Sequence, residues 1–106
     1  MNAVEEYKII GDYLCVQMPK EIDHHNAESI SEKIDQFIVK RNVNHVLFDF
    51  SETEFMDSSG IGILVGRYKK VACFQGKIYL IHMNAQIKKI LSLSGIAKYM
   101  EILEER

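Results

Sequence analysis

The sequence predicts an α/β domain: a mixed, mostly parallel sheet with packed helices, in the order ββαβαβα, closed by a short C-terminal strand or turn. Three observations carry this expectation. Two β-prone runs near the N-terminus are separated only by Gly11-Asp12, a two-residue hairpin signal. Two compact apolar runs, HVLFDF and KIYLIHM, are bounded by turn residues. Between and after them lie stretches whose apolar residues recur at helical spacing. Strands alternating with helices after an initial hairpin imply parallel pairing through helical crossovers. A length of 106 residues suits one domain, spanning 1–106, with one core.

Each element has its own signals. Val4 to Ile10 and Tyr13 to Met18 are the hairpin strands, and Pro19, the one proline, ends the second. Asp23 stands at an N-cap position. Ala27, Ile30, Ile34, Phe37 and Ile38 then mark a helix running to about Arg41. After the polar turn Asn42–Asn44, His45 to Phe50 reads as an inner strand buried on both faces. Ser51 to Asp57 is a polar connection containing Phe55 and Met56. A second helix runs from there to about Phe74, with Gln75-Gly76 as its exit. Lys77 to Met83 is the next strand. Asn84 caps a third helix bearing Ile87, Ile90 and Leu91 on one side, and Gly95 sits where that helix stops. Tyr99 to Leu103 supplies a last strand or a final helical turn.

Composition narrows the function classes. Hydrophobic residues make up 47% and charged residues 26%, which suits a soluble globular chain rather than a disordered one. No apolar window approaches a membrane span, and the acidic, alternating N-terminus is unlike a signal peptide, so the expected place is the cytoplasm. The net charge of -2 comes from mixed charges without a basic stripe, which argues against a nucleic-acid footprint. Cys15 and Cys73 match no metal or redox spacing and read as small apolar residues in a reducing compartment.

The second helix carries Gly60, Gly62 and Gly66, each costing about 0.5–1 kcal/mol relative to alanine in a helix interior. At 100° per residue, Ile61, Leu64, Val65, Tyr68, Val71 and Ala72 form one continuous stripe wide enough to pack on the sheet. Ser59, Gly62, Gly66 and Cys73 lie opposite, with Lys69 and Lys70 around them. Ile63 falls off the stripe and is expected to be exposed near the glycine face. Two readings stand side by side: the glycines are tolerated or avoid a neighbouring loop, or another molecule approaches the bare backbone closely.

At the start of this helix, Asp57 or Ser58 can cap the first-turn amides. The same amides and the positive end of the helix dipole make an anion-friendly site. A phosphate on Ser58 would find donors at Gly60 and its neighbours, and would add about -1.5 to -2 charge at pH 7.

The block FMDSSGIGILVGRYKK, Phe55 to Lys70, resembles the signature of STAS domains in the subgroup of anti-sigma factor antagonists. EIDHHNAE, Glu21 to Glu28, resembles the matching early motif of the sporulation sigma-F antagonists. The likeness runs from the hairpin to about Gly95. It implies a mixed sheet with helices, no catalytic residue and no cofactor. It also implies two partners: an anti-sigma factor that is a serine kinase with a histidine-kinase-like ATP site, and a PP2C-type phosphatase. In that scheme binding of the kinase releases a sigma factor, phosphorylation of Ser58 ends the binding, and the phosphatase restores it. Asp23, Asp57, Ser59, Gly60, Gly62, Ile63 and Gly66 fall on positions implied to meet the partner. Two departures stand out. Pro19-Lys20 replaces a usual Thr-Gly-like pair, and Tyr99 to Arg106 leaves room only for a short strand and turn where many members carry a helix.

Other chemistries find weaker support. Ser58 with His24 or His25 and Asp57 lacks the nucleophile-elbow pattern and an orienting partner for a hydrolase triad. Adjacent His24 and His25 diverge on a helix and suit joint metal ligation poorly. Gly60-Ile61-Gly62 is not a complete phosphate loop, so a nucleotide-binding or weak NTPase role rests on the helix end alone. A module of another stress-signalling assembly is the third class.

Overall fold

The computed structural model describes residues 4–103. β1 (Glu6–Ile10) and β2 (Tyr13–Gln17) form the expected antiparallel hairpin, with Ile10 opposite Tyr13 and Gly11 at φ 62 in the tight turn. Glycine takes that φ at no steric cost. The chain continues through β3 (Glu21–Ile22), α1 (Ala27–Lys40), β4 (His45–Asp49), β5 (Phe55–Met56), α2 (Ser58–Ala72), β6 (Ile78–Ile81) and α3 (Ala85–Ser94). A 3-10 turn (Ile96–Tyr99) and β7 (Glu101–Leu103) complete the described chain, so the C-terminal strand forms. The rest of the expected C-terminal turn, residues 104–106, lies outside the described residues.

The main sheet has the order β1-β2-β4-β6-β7, and every pair after the hairpin is parallel. Each crossover adds its strand on the same side of the last. Since such crossovers are right-handed, all three helices fall on one face of the sheet. Strand burial agrees. Leu14, Val16, Val46, Phe48, Ile78 and Leu80 are buried under the helices, while Cys15, Leu47, Asp49, Tyr79 and Ile81 on the other face are half-buried. His45–Phe50 is therefore not covered on both faces, contrary to its apolar look.

The core gathers these strand residues with Ile30, Ile34 and Ile38 of α1, Ile63, Leu64 and Val71 of α2, and Ile87 and Leu91 of α3. Two local expectations change. Asn26, not Asp23, occupies the N-cap position of α1, and Asp23 instead closes the preceding turn, accepting the His25 amide at 2.8 Å. β3 and β5 form a separate parallel ladder, pairing Glu21 with Phe55 and Ile22 with Met56. Residues that read as a loop are thus the rails that deliver α2.

Candidate functional site

The β3–β5 ladder sets the geometry of the site. Ile22 pairs with Met56, and the Asp57 amide donates to the Ile22 carbonyl at 3.0 Å, so Asp23 and Asp57 emerge side by side at the start of α2. Thr53 secures the approach by donating its buried hydroxyl to the Pro19 carbonyl at 2.8 Å. The structure therefore joins the two motifs that the sequence separates by about thirty residues. Ser58 is exposed at the first position of α2, with Ser59 half-buried beside it.

Asp57 is the N-cap. Its Oδ1 accepts the Ser59 amide at 2.7 Å and its carbonyl accepts the Gly60 amide at 3.0 Å. These are the donors that an anion at the helix end would need. The expected phosphate cradle is thus partly occupied by the protein's own cap, which weakens the nucleotide reading. The site is acidic instead. The His25 N–H holds the Asp23 carboxyl below its usual range, so Asp23 is charged at neutral pH. A phosphate added to Ser58 would join two carboxylates, with the Ser59 and Gly60 amides already bonded to Asp57.

The face of α2 is rotated from the wheel expectation. The buried positions are Gly60, Ile63, Leu64, Arg67 and Val71, spaced three, four and seven apart. Ile63 is only 1% exposed, so it is a core residue and not a partner contact. Gly60 is also enclosed: a Cβ there would overlap Cγ and Sδ of Met56. Its lack of side chain serves packing against Met56. Ala72, assigned to the stripe, is exposed. Gly62 and Gly66 behave otherwise, since a Cβ at either meets nothing within 4 Å. No contact among the described residues requires them to be glycine.

Arg67 explains the rotation. It lies in the centre of the buried face, 7% exposed, with Nε 2.9 Å from Asp35 Oδ1 on α1 and Lys70 Nζ 3.9 Å from Asp35 Oδ2. The Nε–Oδ1 approach lies off the N–H axis, so it is an ionic contact rather than an aligned hydrogen bond. Burial pulls the Arg67 pKa down and Asp35 pushes it back; a guanidinium stays charged throughout.

The matched family model is the STAS domain, over residues 5–105 of this chain. The chain belongs to the STAS family. Within it, the chain is 32% identical over 104 residues to the anti-sigma F factor antagonist of Paenibacillus polymyxa, covering 98% of this chain and 89% of the relative. The fold of this STAS domain is also that of the anti-sigma factor antagonist SpoIIAA in its unphosphorylated form: TM-score 0.87, 24% identity, covering 96% of this chain and 88% of that one. The Bacillus SpoIIAA structure in the phosphorylated form matches with TM-score 0.78 and 24% identity, covering 96% and 91%.

Three residues of the STAS site carry no functional signal in the sequence pattern. Phe55 is 47% exposed directly before Met56, an apolar side chain placed in water three residues ahead of Ser58. Asn84 not only caps α3, accepting the Ile87 amide at 2.9 Å, but also donates to the carbonyls of Thr53 and Glu54 at 3.3 and 3.2 Å. Gln86 bonds the main chain of Met56. An aromatic in a polar connection is the nearest thing to a signal for Phe55. Nothing in the sequence pairs residues 84–86 with 53–56.

Proposed function

We propose that this chain is an anti-sigma factor antagonist whose unphosphorylated form docks an anti-sigma factor with serine-kinase activity, releasing a sigma factor and promoting its transcription. The docking surface comprises Asp23, Asp57, Ser58, Ser59, Phe55 and the bare face of α2 at Gly62 and Gly66. The observation that carries this reading is the pair of glycines with open space where a side chain would stand, on the helix that begins at an exposed serine. Phosphorylation of Ser58 ends the docking. The dianion, about -1.5 to -2 at pH 7, enters an end already bearing Asp23 and Asp57, and Asp57 occupies the neighbouring amides. Its charge adds to that of the two carboxylates and repels the partner. A PP2C-type phosphatase resets the protein. The setting is the cytoplasm, in the control of sporulation, and the chain is a regulator without catalytic activity of its own.

The test is capture of partners from the cells that make this protein, using unphosphorylated chain, and then addition of ATP. An anti-sigma kinase should be retained, and mass spectrometry should place one phosphate on Ser58. Ser58→Asp should lose the kinase, while Ser58→Ala should hold it and resist modification. Equal affinity of Ser58→Asp and the parent in calorimetry refutes the charge switch.

A further inference from the structure

β5 is two residues long and has two edges. One pairs with β3. The other faces the beginning of α3, where no strand runs among the described residues. A side chain takes that place. Gln86, the second residue of α3, accepts the Met56 amide on Oε1 at 3.1 Å and donates Nε2–H to the Met56 carbonyl at 2.8 Å. A carboxamide holds an acceptor and donors together, so one side chain reproduces the two bonds a neighbouring strand would make. The amide orientation is fixed, since only this one satisfies both partners.

The position matters because Met56 leads directly into α2. Its side chain fills the space beside Gly60, and the next residue is the cap Asp57. A two-residue ladder is marginal by itself. We propose that Gln86 is a positioning residue for the Ser58 switch: it locks the Met56 backbone and so presents the Ser58 hydroxyl to the kinase in one orientation. This rests on the phosphorylation of Ser58 proposed above. Gln86 bonds the Met56 backbone and neither Gly62 nor Gly66, so its effect falls first on the presentation of the hydroxyl.

The experiment compares Gln86→Leu, Gln86→Glu and Leu91→Ala in the full chain. Leu91 is a buried residue of the same helix whose loss weakens packing while the Gln86 bonds to the Met56 main chain stay available. Amide exchange is read by NMR, and phosphorylation by the captured kinase is measured at steady state. Gln86→Leu should lower protection of the Met56 amide about tenfold and kcat about tenfold at unchanged KM, because a misplaced reacting group slows the chemical step. Leu91→Ala should lower stability and leave kcat alone. In Gln86→Glu, a charged carboxylate cannot donate to the Met56 carbonyl. The charged carboxylate still accepts the Met56 amide, so at neutral pH Gln86→Glu should keep Met56 protection near the parent's and lower kcat by less than Gln86→Leu does. Parent kcat or parent Met56 protection in Gln86→Leu overturns the proposal, as does an equal loss of kcat in Leu91→Ala or a loss of Met56 protection in Gln86→Glu as large as in Gln86→Leu. If the parent chain itself takes no phosphate on Ser58, the function proposed above has failed and this role falls with it. A phosphorylated parent with an unaffected Gln86→Leu refutes Gln86 alone.

Discussion

The three glycines of α2 should respond to the same substitution with opposite signs. At Gly62 and Gly66 an added Cβ meets nothing within 4 Å, so alanine brings its helix propensity without a clash. Each change should stabilise the domain by about 0.5–1 kcal/mol. At Gly60 the new Cβ overlaps Cγ and Sδ of Met56 and stands 3.2 Å from its Cε. Met56 cannot retreat easily, because it is 1% exposed and its backbone is held by β3 on one edge and Gln86 on the other. Overpacking of this kind costs about 1–3 kcal/mol, which outweighs the propensity gain. Net destabilisation of about 1–2 kcal/mol is expected for Gly60→Ala. Urea unfolding monitored by far-ultraviolet circular dichroism resolves both effects, and a change of about 1 kcal/mol should move Tm by about 4–8 °C in a domain near this size. A Gly60→Ala protein as stable as the parent, or a Gly62→Ala protein less stable than it, refutes the packing argument. Gly62→Leu adds the functional half: the fold should persist while kinase affinity falls, and unchanged calorimetric affinity removes Gly62 from the docking face.

Three further outcomes are expected. Asp35→Ala leaves Arg67 buried without its counter-charge, and chemical unfolding should register a loss of about 1–3 kcal/mol, below that of a fully enclosed pair because Asp35 is 26% exposed; Asp35→Leu with Arg67→Met should recover most of it, and an unchanged midpoint for Asp35→Ala counts against the contact. Gly76→Ala drives a Cβ into the Asn44 carbonyl and to 2.8 Å from Val71 Cβ; since a backbone atom cannot rotate aside, it should cost at least about 2 kcal/mol in the same assay. Burial raises the Asp49 pKa, but the His82 bond at 2.9 Å and the Ser51 amide outweigh it and leave that pKa lowered. A depressed carboxylate stabilises above its unfolded pKa of about 3.9, and that contribution disappears as pH falls through and below this value. Unfolding of Asp49→Asn should be flatter than the parent between roughly pH 5 and 2, and parallel curves would exclude Asp49 as a source of the acid loss.

Much of the fold is legible because its signals are local. Gly11-Asp12 specifies the hairpin, Asn84 and Gly95 bound α3, and the crossovers come from alternating strands and helices. Three features are not legible in this way. β3 and β5 are two residues each, too short to show any period. His45–Phe50 looks doubly buried because its composition cannot reveal that every crossover falls on one face. The orientation of α2 is hidden because its inward side contains an arginine, which the wheel sends to solvent; restoring Arg67 to the core turns the helix by roughly 80° at 100° per residue. That rotation makes Ile63 a core residue instead of a contact and reveals the packing role of Gly60. Gly62 and Gly66 are unaffected, because their side of the helix is open under either orientation. Ser58 is legible as a helix-start serine, whereas its acidic surroundings depend on a ladder that only three dimensions reveal.

The spatial order of the five main strands repeats their order along the chain. Growth can therefore begin at the hairpin and extend outward, each new strand docking on one already in place, with no late insertion between settled neighbours. Shortening the chain from its C-terminal end then strips the outermost strand first, and the Ser58 rails, built from β3 and β5, stand apart from that loss.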